Sequence, residues 1–338
     1  MIKQMWEDSK KIHEGSYGCV LSPPLKCKKS KARDHKSQRT VGKVIRIQNS
    51  KIELSVGTLV KSIPGWQRYY IIAEDDNCET KNFSTHRELY QQLCKVYKYS
   101  SDSQLTQLVS PYAGAMLRVT AFTPTFDFVG SLRHMLEGVS LLNKQGICHF
   151  DLHDGNVLVD FKETFRIIDF GSAFLGDQVD QGVVKKHTYE FSPKFPPESP
   201  ELSVMTGIAG GMTMSDGIER TMNAIGSKKE LYELAYRLIG IDRFTEWRHL
   251  IEFWKEDETW KGESWVLFFK TYWRKWDSWA IGVMFLEILK KCFLMPSFLR
   301  TTWPEEGGRI KIVLKGLLTS HPDKRMTAEE ALVELDRV

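Results

Sequence analysis

Apolar and polar residues alternate on both sides of a polar turn at Asp160 to Lys162. NVLVDF before it and FRIIDFG after it predict two short strands that bring the Asn156 and Asp169 ends together. Upstream, apolar positions 128, 132, 135, 136, 139 and 142 of FVGSLRHMLEGVSLLNKQG recur at helical spacing, which predicts a helix packed on a core. Nearer the start, TVGKVIRI alternates about Lys43 as a strand. The helix-like SKIELSVGTLVKSI follows, and IPGWQRYYIIAED reads as a turn and a β-strand. Before that strand, Gly15 and Gly18 enclose Ser16 and Tyr17, with Val20 beyond, in a strand-turn-strand pattern; residues 22–40, rich in Lys, Ser and Arg, read as a solvated loop. Late in the chain the glycine-rich GIAGGMTMSDG leads into KKELYELAYRLIGI, FTEWRHLIEFWKE and ESWVLFFKTYWRKW, two or three helices. The most apolar late stretch, WAIGVMFLEILKKCFLMPSFL, is interrupted by Glu287, Lys290 and Lys291, so it predicts a buried helix and not a membrane span.

Two carboxylates, Asp151 and Asp169, flank the strand pair, with the amide Asn156 between them in sequence. A hydroxyl nucleophile needs an acceptor for its proton, and a triphosphate needs one or two magnesium ions on hard oxygen ligands. Asp151 suits the first need, Asn156 and Asp169 the second. The glycines at 15 and 18 would let backbone amides approach phosphates closely. This order of groups suits phosphoryl transfer.

His149-Phe150-Asp151-Leu152, Asn156 and Asp169-Phe170-Gly171 resemble, in order and separation, the catalytic and metal loops of the protein kinase family. The resemblance implies an α+β bilobal fold. Residues 1–110 would form a small β-rich N-lobe with one helix, and 111–338 a larger, mainly helical C-lobe in which 200–270 are a helical insertion. It implies ATP and Mg²⁺ as cofactors and a serine or threonine of a protein as acceptor. Asp151, His153 and Asn156 would be catalytic, and Asn156 and Asp169 would hold the metal. Nucleotide contacts would come from the flap (Gly15, Ser16, Tyr17, Gly18, Val20), from Lys43 steadied by Glu53, and from the backbone of a hinge at Pro111, Tyr112 and Ala113. The family's flap carries three glycines, and the first position is His13 here. Glu88 competes with Glu53 as the lysine's partner but lies after the next expected strand. Pro196-Pro197-Glu198 stands where the family ends its activation segment, which implies an ion pair between Glu198 and Arg325 of HPDKRMTAEEAL. Asp277, Trp279 and Gly282 match the helix that anchors the catalytic loop. Phe150 stands where regulated members carry an arginine for a phosphorylated activation segment, here with Thr188, Tyr189 and Ser192. That implies constitutive activity. His153 stands where protein kinases place lysine. It acts either as a cation beside the transferred phosphoryl group or as a neutral donor of one hydrogen bond.

The separation between Glu198 and Asp277 exceeds that of compact members by about 65 residues, too long for a loop. Seven of the ten tryptophans fall between Trp247 and Trp279. Such a stripe reads as core before it reads as a docking face for a partner of the insertion. The flap, SIPGWQRYYI, the YAG hinge, PPE and the insertion together look most like the serine/threonine kinases of large nucleocytoplasmic DNA viruses, which implies host cytoplasm or virion. Two other readings compete. HxDxHxxN is also the pattern of aminoglycoside- and choline-kinase-like enzymes, although Glu198, Asp277 and Arg325 are not expected in them. A pseudokinase scaffold fits the missing glycine but not Lys43, Asp151, Asn156 and Asp169.

Composition narrows the picture a little further. The 338 residues, 42% hydrophobic and 27% charged, are ordinary for a soluble globular protein. A net charge of +4 is too slight to argue for nucleic acid. The start, MIKQMWEDSKK, lacks the apolar core of a signal peptide. Six cysteines without a CxxC predict reduced thiols and a cytoplasmic setting.

Overall fold

The computed structural model describes residues 10–15, 18–25, 40–74, 94–98, 100–101, 104–188, 191, 193–260 and 265–337. The chain divides into two compact units. One is Met1–Gly114 with Ile168–Gly171, the other Ala115–Ile167 with Ser172–Val338. The division falls just past the expected hinge. The small β-rich unit, with one long helix among its described residues, and the larger, mainly helical one give the α+β class expected from the sequence.

In the first unit, strands β1 (Lys10–Glu14), β2 (Gly18–Ser22), β3 (Thr40–Arg46) and β4 (Leu105–Pro111) form an antiparallel sheet in that order. Val20 pairs with Lys43, and Lys43 with Leu108. Helix α1 (Ile47–Lys61) follows β3 without a loop and packs against β3 and β4. It buries Val56 and Val60, while Lys61 in its last turn donates to the Ala73 carbonyl at 3.0 Å. The strand expected in IPGWQRYYIIAED does not form a ladder. Trp66–Arg68 is a single 3-10 turn, and Glu74 N–H donates to the Val109 carbonyl at 2.8 Å.

The core beside β2 is Cys19, Leu21, Val44, Cys94 and Leu105. Cys19 and Cys94 are joined in a disulfide with Cα atoms 5.7 Å apart, so the expectation of uniformly reduced thiols is corrected. Cys19 shares the inner face of β2 with Leu21, and the segment at Cys94 runs beside it, a juxtaposition that spacing along the chain does not reveal. Cys148 and Cys292 are free and buried. Cys27 and Cys78 lie outside the described residues.

In the second unit, helix α2 (Phe128–Lys144) starts at Asp127, whose carboxylate accepts from Gly130 N–H at 2.8 Å. Its expected apolar face is buried: Leu132, Leu136, Val139 and Leu142 are each 0% exposed. Burying such a side chain fully is worth about 1.5–3 kcal/mol relative to exposure. Three short strands, β5 (Ala115–Met116), β7 (Val157–Val159) and β8 (Phe165–Ile167), pair in the order 5-7-8. The expected strand pair is β7 and β8, turning at Asp160, whose carboxylate accepts from the Lys162 and Thr164 amides. β6 (Ile147–Cys148) pairs with β9 (Phe174–Leu175). Helix α3 (Gln181–His187) follows.

The glycine-rich stretch is the turn between two helices: α4 (Pro200–Ala209) and α5 (Met214–Met222) are separated by Gly210 and Gly211. Next come α6 (Lys228–Ile239), with a Ser227/Glu230 capping box, and α7 (Arg243–Glu256), capped by Asp242. The third expected helix is not separate. It runs on into α8 (Val266–Cys292), which is buried along most of its length. No proline interrupts it, and its one glycine, Gly282, lies where a Cβ would come within 3.0 Å of Leu317 and Leu318. Helices α9 (Pro296–Arg300), α10 (Thr302–Leu317) and α11 (Ala328–Asp336) complete the unit. Trp254, Trp273, Trp276 and Trp279 are at most 3% exposed, so at these positions the tryptophan stripe is core. No helix among the described residues is long and apolar enough to cross a membrane.

Candidate active site

In the first unit, β3 presents Lys43 toward α1, and its ammonium donates to Glu53 Oε2 at 2.7 Å and to Asp169 Oδ1 at 2.6 Å. Burial opposes the lysine's charge, but Asp169 and Glu53 more than offset it and hold its pKa above the ordinary value. Asp169 has φ 66°, a left-handed backbone uncommon outside glycine, and its Oδ1 also accepts from Gly171 N–H at 3.3 Å. Phe170 is buried edge-on against Tyr70, which seats the Asp169 loop in this unit.

The flap strands form with Gly15 N–H donating to the Gly18 carbonyl at 2.9 Å. A Cβ at Gly18 would lie 2.2 Å from the Val44 carbonyl oxygen, so close packing on β3 already demands glycine there. Val20 follows on β2. Ser16, Tyr17 and the competing Glu88 lie outside the described residues. The expected hinge residues close this unit: Pro111 ends β4 opposite Thr40, Tyr112 is 41% exposed, Ala113 follows, and Gly114 has φ 121°.

In the second unit, residues 149–156 connect β6 to β7. Asp277 on α8 holds the start of this loop, accepting from His149 N–H at 2.7 Å and Phe150 N–H at 2.9 Å. Burial raises the Asp277 carboxyl, and His149 with the two amide donors opposes that rise. Phe150 pays in backbone conformation, with φ 67°, for presenting both amides to one carboxylate. Its ring meets Phe174, His187, Phe269 and Trp276, with centroids 4.6–6.3 Å away. His187, from α3, places its ring nitrogens 2.8 Å from the Val183 and Ser172 carbonyls.

The Asn156 amide donates to the Asp151 carbonyl at 2.8 Å and to Asp151 Oδ2 at 3.3 Å. That use of the NH₂ group turns the amide oxygen away from Asp151. Hard oxygens of this kind, and the Asp169 carboxylate in the other unit, suit Mg²⁺ better than a softer ion. His153 Nδ1 accepts from Gly155 N–H at 2.9 Å and is 3.3 Å from Arg118 Nη2. Two donors aimed at one nitrogen require its lone pair, which places the ring proton on Nε2, 3.9 Å from Asp151 Oδ1. Asp154 Oδ1 is farther from Nδ1, at 3.6 Å.

The expected Glu198–Arg325 pair is corrected. Arg325 donates from Nη1 and Nη2 to the two oxygens of Glu201, each at 2.7 Å, and both side chains are fully buried. The pattern Pro-Glu occurs twice in this stretch, at Pro197-Glu198 and Pro200-Glu201. The helix starts at Pro200, so its second residue, Glu201, points inward and also accepts from Ser199 Oγ at 2.6 Å. Glu198, before the helix, accepts from Ser203 Oγ instead. Arg118 and Lys228 had no sequence signal: one is a lone arginine in a loop, the other a lysine in an apparently amphipathic helix. Of the activation-segment hydroxyls, Thr188 donates to the Val184 carbonyl at 2.8 Å, while Tyr189 and Ser192 lie outside the described residues.

The family model described as the protein kinase domain matches residues 6–202, more than half of the chain. No curated protein matches the chain.

Proposed function

The chain belongs to the protein kinase family and is a phosphotransferase, and from that premise we propose that it transfers the γ-phosphoryl group of Mg-ATP to serine or threonine hydroxyls of proteins. The observation that carries this reading is the buried Lys43 ammonium held by Glu53 and Asp169. A lysine so fixed and so firmly charged is suited to grip nucleotide phosphates. Asp169 and Asn156 each offer a hard oxygen to magnesium, which when bound neutralises charge on the triphosphate. Asp151, oriented through Asn156, accepts the proton of the attacking hydroxyl. The backbone of Pro111–Ala113 meets the adenine edge, and the flap amides cover the phosphates. His153 donates its Nε2 proton, and Arg118 beside it contributes the permanent positive charge.

A protein acceptor, and not a small molecule, is supported by the Glu201–Arg325 pair and Asp277, which brace a polypeptide segment beside the catalytic loop. The likeness to kinases of large DNA viruses remains part of this reading, with action in a host cytoplasm or virion. Incubation with magnesium and labelled ATP, offering casein, a basic protein and aminoglycosides, tests it. Label on phosphoserine or phosphothreonine is expected. Label only on the aminoglycoside would establish the small-molecule reading, and no transfer at all the scaffold reading.

A further inference from the structure

Lys228, the first residue of α6, is 0% exposed, although nothing in its helical pattern marks it as buried. Its ammonium points out of the insertion and into the chain before α4. There it donates to the Phe195 carbonyl at 3.1 Å, the Pro196 carbonyl at 3.3 Å and the Glu198 carbonyl. An ammonium has three N–H bonds, and here each finds one backbone carbonyl. Trp279 Nε1–H adds a second donor to Pro196 at 3.0 Å, and its ring lies 5.8 Å from Lys228 Nζ and 5.0 Å from the Arg325 guanidinium. The Phe195 carbonyl also accepts from Glu198 N–H at 3.1 Å, so Lys228 joins a tight turn and the Trp279 contact, and without it the Glu198 carbonyl would lose its ammonium partner and the turn its anchor to α6.

The segment held in this way flanks the catalytic loop. The Phe195 ring packs edge-on against His153 at 5.5 Å, and Phe195 is 41% exposed. Any chain that offers a hydroxyl to Asp151 passes this surface. We infer that Lys228 is a positioning residue by which the insertion fixes residues 195–198 as the platform for the acceptor polypeptide. The inference rests on the reading of the protein as a kinase of protein hydroxyls. It gives the insertion a task in acceptor recognition that does not require a separate partner.

The charged groups facing Lys228 are Glu198, Glu201 and Arg325. Burial pushes its pKa down to about 8, against the pull of Glu198 and Glu201. Above that pH the neutral amine keeps two N–H bonds for three carbonyls, and the platform loosens. An arginine keeps its charge throughout.

Steady-state kinetics on the full chain with casein as acceptor test this. In Lys228→Met the KM for casein should rise about tenfold while the KM for ATP stays within about twofold, with Lys228→Arg recovering most of the loss. An unchanged casein KM in a folded Lys228→Met protein, or equal changes in both KM values, overturns the inference. The wild-type protein supplies a measurement that needs no variant. Its casein KM should rise several-fold between about pH 7 and about pH 9.5 with the ATP KM flat, and the rise should be absent from Lys228→Arg. A flat casein KM over that range overturns the inference as well. Absence of transfer by the wild-type protein to any protein acceptor would instead remove the kinase reading, and this inference with it.

Discussion

Replacing Glu201 by alanine should destabilise the second unit far more than the same change at Glu198. Arg325 and Glu201 are both fully buried and doubly hydrogen-bonded, so the truncation strands a guanidinium in the core. Breaking such a pair from one side costs about 3–5 kcal/mol. Arg325 keeps the Thr319 carbonyl at 3.0 Å and the Trp279 face, which places the loss toward the lower end, about 3 kcal/mol. Glu198→Ala, at a half-buried site, removes one hydrogen bond from Ser203, worth about 1 kcal/mol, and leaves Lys228 its three carbonyl acceptors and the charge of Glu201. With a urea slope of about 2–3 kcal/mol per molar, the midpoints should fall by about 1–1.5 M and by less than about 0.5 M respectively. Tryptophan fluorescence is the suitable probe, because eight of the ten tryptophans belong to this unit. The double change Glu201→Met with Arg325→Met should recover much of the loss, since it leaves no unpaired charge. A larger midpoint shift for Glu198→Ala than for Glu201→Ala would refute the assignment of the pair.

Asp151→Asn and Asp169→Asn should each abolish transfer in folded protein; only Asp169→Asn should weaken magnesium-dependent nucleotide binding, as titration with a fluorescent nucleotide would report. Phe150 places an aromatic ring, not a guanidinium, against the activation segment through His187 and Phe174. Phosphatase treatment should therefore leave the rate within about twofold, and a tenfold drop would contradict this. With Gly155 and Arg118 both donating toward Nδ1, the Nε2 proton is the one His153 offers, so kcat profiles of wild type and His153→Lys should share one shape from about pH 6 to about pH 9. A limb that falls with rising pH only in the wild type would show the charged form at work.

The elements that alternate or repeat cleanly were legible in the sequence, because burial of one face dictates the period. The α2 stripe, the β7–β8 pair and the Lys43 strand are of this kind. Lys43 and Glu53 could be matched because α1 follows β3 directly, so few placements remain open to the helix. Glu198 and Glu201 could not be separated by motif alone. The deciding signal is local: Ser199-Pro200 is a better helix start than anything before it, and the start sets which glutamate turns inward. The sequence marks Gly18 as a phosphate contact, while its small size is demanded first by packing on β3. The Cys19–Cys94 bridge and the burial of Lys228 depend on contacts between distant segments. No periodicity encodes those.

Helix α8 has 27 residues and therefore runs about 40 Å without a break. Its middle bears Asp277 and Trp279, which hold the start of the 149–156 loop and the Pro196 carbonyl respectively. A rigid rod transmits displacement along its whole length. Whatever moves the start of α8 therefore moves the loop that Asp277 holds and the Pro196 carbonyl that Trp279 holds, as one body.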